Sequence, residues 1–183
     1  MKLEFDLLKA FDLPNPLEGD SYKKLKASLL AIMQASKDRL FDSGHDPDGN
    51  TWAPLSSLSK AKRDAKNKKS GQKNSKFSGT HKVLNDTGAL RNSLGVAKAK
   101  GAIGTTDGDE VVLGSNLEYA AIHNYGGTIV PKNGKVLAFP GLGGATILAK
   151  KVVIPARPFM GIGAQDTADI DEKIQAVLAK AYK

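Results

Sequence analysis

Two stretches with helical hydrophobic spacing bracket a run of short strand-like segments, and that order restricts the fold more than any other feature of the chain. Leu25, Leu29, Ile32, Met33 and Leu40 recur at the spacing of one helix face. Asp20 or Ser21 can cap that helix at its start, and Gly44 stops it. At the other end, Ile170, Ile174, Val177, Leu178 and Ala181 form a second such face, behind a possible cap at Asp166 or Thr167. Between them lie Leu94 and Val96, then Glu110-Val111-Val112-Leu113, then Thr128-Ile129-Val130, Val136 to Phe139 and Ile147 to Ile154. Gly101, Gly104, Asp107 and Gly108 supply turns among the first of these, and residues 131–134 and 140–144 among the last. A helix, a run of strands and a closing helix give the α+β class: an antiparallel sheet with a long hairpin arm at about 128–154, packed against an N-terminal long helix and a C-terminal helix.

The remaining segments are read more coarsely. Residues 1–19 fit a strand through Met1, Leu3, Phe5 and Leu7, or a helix face through Leu3, Leu7, Leu8 and Phe11, and Pro14 and Pro16 end either one. Residues 45–58 form a turn and an extended loop around Trp52, which anchors the loop on the core. Short helices are expected near Thr87 to Leu90, with Asp86 or Thr87 as cap, and from Glu118 to Asn124, ended by Gly126-Gly127. A chain of 183 residues is one domain with a real core.

The charge is concentrated in one place. Between Lys60 and Lys82 stand nine Lys/Arg and one acid, Asp64, so this segment carries the whole formal net charge of +8 and the rest is close to neutral. With almost nothing apolar except Phe77, residues 59–82 are expected to form a flexible basic loop. Lys62, Arg63, Lys66, Lys68 and Lys69 are its candidate contacts with a partner or with DNA. Lysine clusters bind phosphates by counterion release. Arginine-rich or aromatic interleaving for base stacking is lacking, which favours a solvated loop that orders against a protein.

Catalytic and metal patterns are not found. Asp46-Pro47-Asp48-Gly49-Asn50 starts like a calcium loop, but Thr51 and Ser57 stand where that motif needs glycine and a bidentate glutamate, so a tight turn is expected. His45, His81 and His123 stand in no metal-binding spacing. Tyr119 and His123 share one helix face, where a packed histidine outweighs a ligand. Gly161-Ile162-Gly163 lacks the third glycine of a dinucleotide loop and reads as turn glycine. With no cysteine, disulfides and thiolate sites are excluded. No signal peptide, membrane helix, cofactor or enzyme activity is expected.

Four segments, taken in order, carry a resemblance. They are Gly49-Asn50-Thr51-Trp52-Ala53-Pro54-Leu55; Leu84-Asn85-Asp86-Thr87-Gly88-Ala89-Leu90-Arg91-Asn92-Ser93; Val112 to Gly127, containing Glu118-Tyr119-Ala120-Ala121-Ile122-His123-Asn124-Tyr125; and Ile154-Pro155-Ala156-Arg157-Pro158-Phe159-Met160-Gly161. Together with the closing helix they resemble the phage virion morphogenesis and tail-completion family of Mu-like tailed phages, over roughly residues 20 to 183. In the fourth segment the two prolines hold an extended path that aims Arg157, which suits a bidentate pair with a carboxylate within the fold or on a neighbouring subunit. Trp52, Tyr119, His123, Arg157 and Phe159 are the candidate structural and assembly residues, Tyr119 with Ile122 docking their segment on the sheet.

The resemblance implies a structural protein of the virion tail or neck, made in the host cytoplasm. It implies a tail terminator or completion protein at the head–tail junction, forming a ring, often of six. Its implied partners are itself, the tail-tube protein and the head-completion or connector proteins, with the hairpin arm reaching a neighbour. Contact of the basic segment with DNA in the channel is the alternative.

Overall fold

The stripe of Leu25, Leu29 and Met33 winds into α1, Asp20–Ser43. In this computed structural model residues 2–6, 19–70, 82–95, 102–105 and 110–181 are described. Gly44 ends α1 in the left-handed conformation at φ 74°, its N–H donating to the Leu40 carbonyl at 2.8 Å. The start differs from expectation: neither Asp20 nor Ser21 caps it, and Gly19 occupies that place without a side-chain bond. Asp20 instead puts its charge in the first turn, where the helix dipole favours an anion.

α1 serves two cores. Its first half packs Leu25, Leu29, Leu30 and Met33 against Val111 and Leu113 of the sheet and Ile170 and Ile174 of the closing helix. Its last turn sends Leu40 and Phe41 into a second cluster with Trp52, Leu90, Leu94, Ala120 and Phe159. The sheet has three antiparallel strands in the order β1 (Lys2–Asp6), β3 (Glu110–Ser115), β2 (Ala102–Thr105). β1 thus resolves the ambiguity of the N-terminus as a strand, pairing Lys2 with Gly114 and Asp6 with Glu110. As the central strand, β3 is buried from Val111 to Ser115. Two strand assignments change. Gly104 lies within β2, opposite Leu113, where a turn was expected. Leu94 follows the short helix α3, Ala89–Asn92, and fills the second cluster with no exposure instead of opening a strand. Val96, Gly101, Asp107 and Gly108 lie outside the described residues.

The closing helix, α5 (Ala164–Ala181), begins two residues before the expected cap. Asp166 still caps it, from inside. Its carboxylate reaches back to accept the Gly163 N–H at 2.9 Å, the acidic half of a capping box. The same carboxylate accepts from Ser36 Oγ at 2.8 Å and Arg39 Nη2 at 2.7 Å, tying α5 to α1. Gly163 is required there, because a side chain would run into the Pro47 carbonyl. Gly161 and Gly163 therefore permit close packing of the Asp46–Asn50 loop and do not form turns. That loop is the tight turn expected: Asp46 Oδ1 accepts the N–H of Asp48 at 3.0 Å and of Asn50 at 2.8 Å.

The basic segment departs furthest from its reading. Residues expected as loop from 59 onward are helical through 70, in α2, Ser57–Ser70. The cause is local. Ser56 caps the helix, its Oγ accepting the Ser59 N–H at 3.2 Å. Lysine, arginine and alanine are good helix formers, and Leu58 and Ala61 are half-buried on one side. Residues 71–81, with Phe77 and His81, lie outside the described residues.

The hairpin arm is two nested ribbons. β4 (Gly127–Ile129) pairs with β7 (Val152–Ile154), and β5 (Leu137–Pro140) with β6 (Thr146–Ala149), both antiparallel. The single strand expected over 147–154 is broken at Lys150-Lys151.

Candidate functional site

The four segments that carried the resemblance converge on the second core. Phe159 is fully buried, its ring centroid 5.6 Å from that of Phe41, and Trp52 stands edge-on to Phe41 at the same distance. Trp52 also donates from Nε1 to the Pro158 carbonyl at 2.8 Å, so it anchors the loop by both packing and hydrogen bonding. Ser93 and Ser115, both fully buried, share a hydroxyl hydrogen bond of 2.7 Å that links the second segment to the third.

The fourth segment is threaded by polar contacts. Arg157 donates from its backbone N–H to the His123 carbonyl at 2.9 Å. Asn124 Oδ1 accepts from the N–H of Phe159 at 3.0 Å and of Met160 at 3.3 Å. Both acceptors belong to α4, Ala120–Tyr125. The extended, proline-flanked backbone has no ladder of its own, so the α4 residues satisfy its N–H groups. Within the fold, the Arg157 side chain takes carbonyls and not the carboxylate that was one of its two expected partners. Its Nε and Nη2 donate to the carbonyls of Ala53 at 2.8 Å and Pro54 at 3.0 Å, and among the described residues no carboxylate pairs with it. The loop after Trp52 exposes two carbonyls that a planar, forked donor matches, and sequence spacing carries no sign of them.

Arg157, Trp52 and Phe159 thus hold the frame on which the exposed parts sit. Burial, with the charge of Arg157 adding to it, holds the His123 imidazole below its ordinary pKa of 6.5. Its Nδ1 is buried and makes no hydrogen bond. Tyr119 is 42% exposed and stands edge-on to His123 with centroids 6.0 Å apart.

Of the basic candidates, three have described side chains, and each touches protein. Lys62 Nζ donates to the Pro140 carbonyl and lies 5.8 Å from the centre of the Phe139 ring, so it joins α2 to the arm. Arg63 Nη1 donates to the Lys82 carbonyl at 2.6 Å and stands 3.8 Å from Asp86, which Lys66 approaches at 3.6 Å. The side chains of Lys68 and Lys69 are outside the description. Between α2, the 84–90 segment and α4 a cleft of about 440 Å³ opens.

The arm presents the largest apolar feature. Ile129, Val130, Val136, Leu142, Leu148 and Val153 are all exposed, Leu148 at 63% and Val153 at 64%. Leu137, Phe139, Ile147 and Val152 on the alternating positions are half-buried. Sequence reasoning missed these outward residues. The signal was present in Thr146-Ile147-Leu148-Ala149 and Val152-Val153-Ile154, where both strand faces are apolar and no solvent face remains. It also missed Asn124 and Asp166 as organisers, which only their partners distant in sequence reveal.

Among the described residues no three potential ligands of His, Asp or Glu converge on a metal site, and no helix is long and apolar enough to cross a membrane. No solved structure matches the chain. Over 67 residues it is 42% identical to Mu-like prophage FluMu G protein 2 of Haemophilus influenzae, a match covering 37% of this chain and 36% of that protein. The match therefore spans only about a third of that relative's length. The model of the phage virion morphogenesis family matches residues 17–179, which include the long helix, the laced core, the arm and the closing helix alike. On that coverage the chain belongs to the phage virion morphogenesis family, and its role lies in the assembly of the phage particle.

Proposed function

We propose that the protein completes or terminates the phage tail at the head–tail junction, as a structural subunit of an oligomeric ring and without a catalytic step. The observation that carries this reading is the arm: two nested ribbons, each pairing only within itself among the described residues, that expose apolar side chains. A two-stranded ribbon is marginal on its own, and a contiguous exposed apolar patch marks a surface that another chain covers. In a ring each subunit offers one surface and receives another, so a protruding arm on every copy closes the circle. The tail-tube protein and the head-completion or connector proteins would lie against the two sides of the ring, within the virion neck.

The second reading, a nucleic-acid-binding module acting through Lys60 to Lys82, draws less support. Lys62, Arg63 and Lys66 are turned to a carbonyl of the arm, a carbonyl of the chain and Asp86. Light scattering across a concentration series tests the two. Six copies of the 19.4 kDa chain weigh about 116 kDa, and a discrete mass of that order supports the ring. A monomer at every concentration that binds duplex DNA with a steep salt dependence would replace the ring with the second reading.

A further inference from the structure

The cleft between α2 and α4 is lined by residues that also brace the second core and the arm, among them Leu90, Arg157 and Lys62. One side is apolar, formed by Leu55, Leu84, Leu90 and the exposed Tyr119. The other is cationic, formed by Lys62, Arg63 and Arg157. The one carboxylate on its lining, Asp86, is shared between Arg63 and Lys66. The buried, unpartnered Nδ1 of His123 belongs to a residue of the same lining. Leu84, also on the lining, has φ 58°, the single non-glycine residue with positive φ among the described residues. Strain of that kind persists where the surroundings hold it, and it gathers at binding sites.

We infer that this cleft is a docking site for an acidic, partly apolar peptide segment of a partner protein. A carboxylate of that segment is drawn to Lys62 and Arg157, whose carbonyl partners leave their charges unneutralised, beside Arg63, which shares Asp86 with Lys66; an apolar side chain lies against Leu84 and Tyr119. Charge complementarity selects the anion, since the cations converge on one cleft with a single competing acid. The apolar side selects a peptide over a nucleic acid, because a phosphate backbone gains nothing from Leu84 and Leu90 and needs cations laid out in a row along its path. A volume of about 440 Å³ admits a few side chains, which is the size of a short linear segment. An arriving carboxylate also relieves a desolvated site: burial lowers the pKa of Arg157, and burial with the Arg157 charge lowers that of His123.

The test is an NMR titration of the full-length, ¹⁵N-labelled chain with three probes: acetyl-Leu-Glu-Leu-Glu-amide, its Leu-Gln-Leu-Gln counterpart, and a short DNA duplex. The acidic peptide is expected to shift the amides of Leu84, Gly88, Tyr119 and His123 saturably. The neutral peptide should bind about tenfold more weakly. Arg63→Gln should cost the acidic peptide a similar factor. Tyr119→Ala, at an exposed ring that leaves the fold intact, should cost several-fold and stands in if Arg63→Gln disturbs α2. Equal binding of both peptides, shifts from DNA in place of the acidic peptide, or no shift at the cleft at all would each overturn the inference. The titration reads a single chain, so its result is separate from whether a ring forms.

Discussion

In the body of the protein Leu29, Val111 and Phe159 are sealed from solvent, while in the arm Leu148 and Val153 expose more than 60% of their surface. Both regions are made from the same apolar residues. The difference lies in what each can bury alone. The body stacks two helices on a three-stranded sheet and closes a second cluster around Phe41. The arm has only pairs of strands, and a pair has no third layer to cover its outer face. Hydrophobic residues in the body therefore set stability, and on the proposed reading those in the arm serve association.

The largest effect is expected in the body. Phe159→Ala removes a fully buried ring from the cluster that joins all four motif segments, and should lower unfolding free energy by about 3–5 kcal/mol in chemical denaturation. A cost under about 1 kcal/mol would mean that the two cores do not unfold as one, and would break the comparison. Asp166→Ala leaves the Gly163 N–H and Ser36 hydroxyl without their acceptor, and should cost about 2–3 kcal/mol by the same measurement. His123 gives a pH-dependent effect. Its folded pKa lies below 6.5, so the unfolded chain takes the proton first. Its contribution to stability is present above 6.5 and is lost as pH falls through the folded value. Thermal melts across that window should show a slope that His123→Gln removes. The smallest stability effect belongs to the arm. Leu148→Ser with Val153→Ser should change the melting of the isolated chain by no more than about 0.5 kcal/mol, yet abolish the higher-mass species in light scattering. Loss of stability with unchanged mass would reverse the assignment of the two regions.

Much of the body could be read in the chain. The stripe from Leu25 to Leu40, the stop at Gly44, the stripe at Ile170 and Ile174 and the arm strands all rest on local periodicity, and the structure follows them except where the last arm strand divides at Lys150-Lys151. What was not legible depends on partners far away. Charge density concealed α2, since the count of lysines says nothing of the Ser56 cap or the Asp86 and Pro140 contacts that hold the helix. Arg157 asks for two acceptors, and only the folded loop decides that they are the carbonyls of residues 53 and 54. Glycines at 161 and 163 look like turn residues until Pro47 arrives against them. Of the site, the framework residues Trp52, His123, Arg157 and Phe159 stood out as types, but the cleft they support exists only between elements.

The arm's two ribbons share no hydrogen-bonded ladder: residues 130–136 and 150–151 separate them. A gap in a ladder is a joint. With no ladder across the gap, the angle of the outer hairpin is set by those two links and by Lys62 of α2, which donates to the Pro140 carbonyl. The base of the arm is packed backbone on backbone: Gly126 lies so close to Ala156 that a Cβ would come within 2.7 Å of the Ala156 nitrogen. The limb is therefore set at the shoulder by backbone packing, while at the elbow its bend depends on a side-chain contact and not on a ladder.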